Sequence, residues 1–220
     1  MAGLKIDVVF DTACPWCFIG KRRLDRALER RPHLTADIRW WPFLLNPDMA
    51  AEGMARGLYL EQKFGGAHRV QRLFGAVVQA GLSEDIDFDF SRLKSIPNTV
   101  ASHRLIHFAR NWDRQSAVVE ALFSAYFLES RDIGDIAILT AIGEECGLPG
   151  DQVIDYLDSG RDTELIQEQN ARAHRLGVNG VPSYLFEEAY ALAGAQEPDI
   201  LLRLIDLAQE TQAVAALSRR

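Results

Sequence analysis

The chain has 220 residues, enough for one large domain or two interlocked small ones, which excludes a long multidomain scaffold. Its 48% hydrophobic and 25% charged residues are ordinary globular composition and exclude disorder and collagen-like structure. A net charge of −7 speaks against a nucleic-acid-binding surface and names no partner.

Taken in chain order, the first segment, Lys5 to Phe10, is β-rich through Ile6, Val8, Val9 and Phe10. It ends at Asp11-Thr12, residues suited to close a strand or cap a helix. The sequence then runs into Cys14-Pro15-Trp16-Cys17. Phe18, Leu24 and Leu28 follow at helical spacing, and Lys21, Arg22, Arg23, Arg26, Arg30 and Arg31 gather late, where cations suit a helix C-terminus; the spacing predicts a helix over 14–31. That basic run reads as a solvated helix end. After Pro32 a second strand is expected over 37–43, with Ile38, Trp40 and Phe43 as its apolar residues and Trp41 beside them. The front of the chain is thus a βαβ unit with parallel strands and a right-handed crossover.

Across 48–172 the β signal nearly vanishes and helical patterns follow one another, the clearest over 67–80, 98–110, 114–129 and 135–146. Past Gly177 the pattern changes. Val178 to Pro182 reads as a tight turn, 183–186 and 190–193 as short strands, and Pro198 opens a helix through Leu201, Leu204, Ile205 and Ala208. The expected architecture is therefore α/β: a βαβ and ββα domain from residues 1–47 and 173–220, with an all-helical insertion over 48–172.

The chemistry is carried by two of the three cysteines. At a helix N-terminus Cys14 faces unsatisfied N–H groups and the positive end of the dipole, which favour a thiolate and make it the candidate nucleophile. Three residues along a helix bring the second sulfur one turn away, with a Cα separation of roughly 5–6 Å that a disulfide tolerates, so Cys17 can resolve a mixed disulfide. Pro15 fits the first turn because its missing N–H would have had no partner there. A CxxC pair next to a βαβ unit is the sequence mark of a thioredoxin-like redox site. Trp16 contributes no cation to hold a thiolate, so an intermediate redox poise is expected. Trp16 is either a substrate contact or a packing residue, and Asp11 either relays a proton or caps the helix. The Cys14 and Cys17 pair lacks the further ligands of a zinc site, and no metal is expected. His103 and His107 stand at i, i+4 without an acidic partner motif and read as surface histidines or satisfied core ones; Cys146 reads as a small buried hydrophobe.

Five blocks of sequence carry a resemblance: FDTACPWCFIG at 10–20, WWPFLLNP at 40–47, an Ala-Tyr-Phe-Leu-Glu segment at 125–129, GVNGVPSYLF at 177–186 and ALAGAQ at 191–196. The chain resembles the DsbA-like thioredoxin-fold oxidoreductases over its whole length, and within them the cytoplasmic FrnE-like branch. The resemblance implies a thioredoxin-like fold with a helical insertion, a cis-proline at Pro182 facing the cysteines, and a Val181 backbone that receives an extended substrate segment. It implies a thiol-disulfide oxidoreductase or isomerase acting on protein or small-thiol substrates. A neighbouring branch resembles 2-hydroxychromene-2-carboxylate isomerase and kappa-class glutathione transferase. It has serine where Cys14 stands and uses glutathione, so the alternative is a glutathione-dependent isomerase or transferase working through the Cys14 thiolate. Asp11, Asn98 and Pro182 fall where that branch builds its site, and Asn98 and Asn46 are candidates for cleft lining. No resident cofactor is expected beyond glutathione as a co-substrate. No stretch approaches the ~18 consecutive apolar residues of a membrane span. Lys5, Asp7 and Asp11 interrupt the start where an export signal needs an apolar core, so a cytoplasmic location is expected.

Overall fold

A computed structural model describes residues 3–65 and 67–217. Strand β1 (Leu4–Phe10) leads into helix α1 (Pro15–Glu29), and β2 (Ala36–Pro42) closes the βαβ unit. A two-residue strand β3 (Met54–Ala55) precedes α2 (Arg56–Phe64) and α3 (Ala67–Leu82), and β4 (Ser95–Ile96) pairs back antiparallel with β3. Then come α4 (Val100–Ala109), a short 3-10 turn (Arg110–Trp112), α5 (Gln115–Phe127), α6 (Ile136–Glu145), α7 (Gly150–Asp158) and α8 (Thr163–Arg175). The chain ends with β5 (Ser183–Phe186), β6 (Tyr190–Ala193) and α9 (Pro198–Leu217).

The main sheet has the order β2-β1-β5-β6, with β1 and β2 parallel and the other two pairings antiparallel. The expected βαβ and ββα halves therefore meet through β1 and β5, with Val8 opposite Tyr184. The alternation of β1 explains its place at the centre: Leu4, Ile6, Val8 and Phe10 are buried and the residues between them half-buried. Helix α1 packs against α9, which lies in turn on β1 and β5. A cluster of stacked and edge-on rings, including Phe18 against Phe123 at 5.1 Å and Phe88 against Phe127 at 5.4 Å, joins α1 to the intervening helices in one continuous core.

Three differences from the expected elements have physical causes. Segment 48–172 contains the β3 and β4 ladder, too short to leave a period-two pattern. Helix α1 stops at Glu29, two residues before the expected end, and Cys14 is its cap rather than its first turn. Residue 172, the expected end of the insertion, lies inside α8. The basic run of α1 is also not simply solvated. Lys21 and Arg23 are buried: Arg23 Nε donates to Glu84 at 2.9 Å and its Nη1 to the Ala195 carbonyl at 2.7 Å, while Lys21 pairs with Asp25 at 2.7 Å. Lys21 also pairs with Glu120 at 2.7 Å; this partner and the two of Arg23 lie on distant segments, up to 172 residues away, where charge counting along the chain cannot find them.

Candidate active site

Cys14 sits at the junction where β1 ends and α1 begins. The Asp11 carbonyl accepts the Cys14 N–H at 3.1 Å, and the Cys14 carbonyl accepts the N–H of Cys17 at 3.0 Å and of Phe18 at 3.3 Å. Pro15 occupies the first helical position, and no side chain caps this end of α1. Cys14 and Cys17 are both buried, close together and not bonded to each other. Burial pushes the Cys17 thiol well above its ordinary range. The hydrogen bond and charge of Cys14 push it further, against a backbone hydrogen bond at Asp11 that lowers it. Cys17 is thus held as a neutral thiol beneath Cys14.

The Asp11 carboxylate is buried with both oxygens engaged by backbone: Oδ1 accepts from Ala13 N–H at 3.1 Å and Oδ2 from Leu45 N–H at 2.7 Å. It ties the cysteine turn to the loop after β2. His103, from α4, brings Nε2 to 3.8 Å from Asp11 Oδ1, beyond hydrogen-bond length, and packs edge-on against Phe10. It is a core histidine but not a satisfied one, since Nε2 is buried without a hydrogen-bond partner among the described residues, and His107 is half-buried beside Asp162.

From the other half of the chain, the loop before β5 carries a cis Val181–Pro182 bond, as the resemblance implied. It faces the cysteines: Cys14 Sγ stands 3.9 Å from the Val181 carbonyl oxygen. Gly20 lets this approach happen. A Cβ there would come within 2.8 Å of Pro182 Cγ and would strike the Tyr184 hydroxyl. That hydroxyl is buried without a hydrogen-bond partner among the described residues, and burial raises its pKa.

A cavity of about 860 Å³ opens beside Cys14. Pro15, Trp16, Asn46 and Val181 line it together with α2, α3 and the side chains of Phe90, Leu93, Ile96, Tyr126 and Phe127. Trp16 is 37% exposed at its edge. Asn46 accepts from Tyr59 at 2.9 Å and Lys63 at 2.8 Å. Asn98, expected as cleft lining, is not there: its amide donates to the Met49 carbonyl at 2.7 Å and accepts from Val100 N–H at 2.9 Å, holding the start of α4. Cys146 is half-buried at the end of α6 and does not line the cavity. The sequence reading missed Arg56, Tyr59 and Lys63, whose i, i+3 and i+7 spacing places them on one face of α2; that spacing was the available signal.

A model of the DSBA-like thioredoxin domain matches residues 5–206. The chain belongs to the DsbA-like thioredoxin family. Among solved structures, it superposes on a probable DsbA oxidoreductase from Streptomyces coelicolor with a TM-score of 0.85 at 24% identity, covering 94% of this chain and 90% of that one. The cytosolic disulfide reductase DsbM from Pseudomonas aeruginosa, solved with GSH, gives a TM-score of 0.68 at 19% identity over 94% of this chain and 100% of that one. A 2-hydroxychromene-2-carboxylate isomerase gives 0.69 at 17% identity over 97% and 98%. At these identities the likeness is one of fold; the DsbA-like family to which the chain belongs implies oxidoreductase or isomerase chemistry. Among the described residues no helix is long and apolar enough to cross a membrane.

Proposed function

We propose that this protein is a thiol-disulfide oxidoreductase in which Cys14 attacks and Cys17 resolves. The observation that carries the reading is the asymmetry of the pair. Cys14 caps α1, lines the cavity and faces the Val181 carbonyl, whereas Cys17 lies one turn deeper and is kept protonated by burial. In the reducing direction Cys14 sulfur attacks one sulfur of a substrate disulfide; the substrate S–S bond breaks and the other sulfur leaves as a thiol after taking a proton. Cys17 then loses its proton and attacks Cys14 sulfur, which releases the second substrate thiol and leaves a Cys14–Cys17 disulfide. The substrate gains two electrons and the pair loses two. A thiol such as glutathione restores the dithiol, and the reverse sequence oxidises a dithiol substrate.

The supporting parts are drawn from both halves of the fold. Trp16 at the cavity edge and the Val181 backbone contact substrate, Pro15 and Pro182 shape the two approaching loops, and Asp11 positions the turn through its two backbone hydrogen bonds. The GSH in the DsbM structure supports glutathione as the recycling thiol, and the cytosolic description of that enzyme supports the same compartment here.

The Cys17→Ala variant separates this from a glutathione-dependent isomerase or transferase. Mixed with a disulfide substrate, it is expected to accumulate a stable mixed disulfide on Cys14, detected as an intact-mass increase that dithiothreitol reverses, and to stop turning over. An isomerase needs no second thiol, so turnover that survives Cys17→Ala contradicts the proposal.

A further inference from the structure

The cavity beside Cys14 has a charge pattern at odds with the rest of the chain. The protein carries a net charge of −7, yet this lining includes Arg56, Lys63, Arg69 and Arg72 and no Asp or Glu among the described residues. Its remaining surface is mostly apolar, and its volume suits a small organic molecule. Arg56 is the central cation. It is half-buried at the start of α2, its guanidinium lies 5.0 Å from the Phe74 ring centre and 5.8 Å from that of Phe90, and no hydrogen bond or ion pair engages that guanidinium among the described residues. Desolvation lowers its pKa, the direction expected of a cation that burial has left without an anion. A half-buried guanidinium stacked on rings keeps its N–H donors free along its edge, and the fork of Arg suits a carboxylate best. A peptide would bring main-chain polar groups to walls that offer them few partners.

We infer that this cavity binds a small amphipathic carboxylate, its apolar body against Leu60, Leu73, Val77 and Phe127 and its anionic group on Arg56. That such an acid is the thiol or disulfide substrate rests on the dithiol reading; that the cavity binds one does not.

Isothermal titration of the reduced full chain with decanoate, 1-decanol and decylammonium tests this, with the rate of Cys14 alkylation by iodoacetamide as a report of where the ligand sits. The expected result is that decanoate binds best, slows alkylation in step with occupancy, and loses about tenfold or more in affinity in Arg56→Gln, while decanol binding is indifferent to that change. The comparison of the three headgroups needs no variant and stands if Arg56→Gln fails to fold. The inference is overturned if decanoate does not bind, if the alcohol or amine binds as tightly, if bound decanoate leaves alkylation unchanged, or if an uncharged peptide displaces it at lower concentration. A protein that binds decanoate but forms no Cys14–Cys17 disulfide overturns only the dithiol reading. One that traps disulfides and ignores decanoate overturns only the inference.

Discussion

Cys17 shows how one residue's surroundings set its role. Its sulfur has the same intrinsic chemistry as that of Cys14, yet burial and the neighbouring thiol raise its pKa. The native state therefore holds the Cys17 proton more tightly than the unfolded chain, for which an ordinary thiol value of about 8.5 applies. Stability from this group is fully present below that ordinary value and is lost as pH rises from there through the raised native pKa. The reduced protein should lose thermal stability between about pH 8 and 10 more steeply than the Cys17→Ala variant, in which no such thiol titrates. Thermal melts of both across that range check it, and parallel curves would contradict the burial argument.

At the scale of elements, the junction of α1 with the segment after α3 rests on a buried ion pair. Glu84 accepts from Arg23 at 2.9 Å and Arg26 at 2.8 Å, with the Glu84 side chain 1% exposed. Removing the carboxylate charge would leave Arg23 with Glu197, at 2.7 Å, as its remaining ion-pair partner and would cost Arg26 its own, so Glu84→Gln should cost about 2 kcal/mol in urea unfolding, less than the loss of a wholly uncompensated buried pair. A loss below about 1 kcal/mol, the usual worth of a surface pair, would show that the pair is solvated in solution. This clamp also marks where the sequence stops being legible. The spacing of α1 and the alternation of β1 are local, so both elements could be read from neighbours a few residues apart. Whether Arg23 faces water depends on Glu84 and Ala195, 61 and 172 residues further on, and the burial of Lys21 depends in part on Glu120 of α5; a charge run reads the same in either case. Helix α2 was overlooked because it is nine residues long with one fully buried residue, Leu60, too little for an apolar stripe.

Over the whole molecule, the two ends of the chain form one sheet, and the cysteine turn from the front meets the Val181–Pro182 loop from the back. The architecture was legible because turn residues and strand alternation mark both halves. Cys14 and Cys17 were legible because a helix start gives that spacing its chemistry. The cavity was not: its walls come from loops and helices spread over the chain, and the lack of carboxylates among them becomes visible only once they are assembled. Asn98 shows the converse, since its position in a motif could not reveal that its amide is used up by Met49 and Val100.

The most direct test of the paired-thiol account is a redox titration of the unaltered protein in glutathione buffers, quenched with acid and read by intact mass after alkylation. The account predicts one two-electron transition from two free thiols to a Cys14–Cys17 disulfide, with a midpoint between about −270 and −120 mV. A Cys14 that ends as a stable glutathione adduct while Cys17 stays reduced at every potential would contradict it.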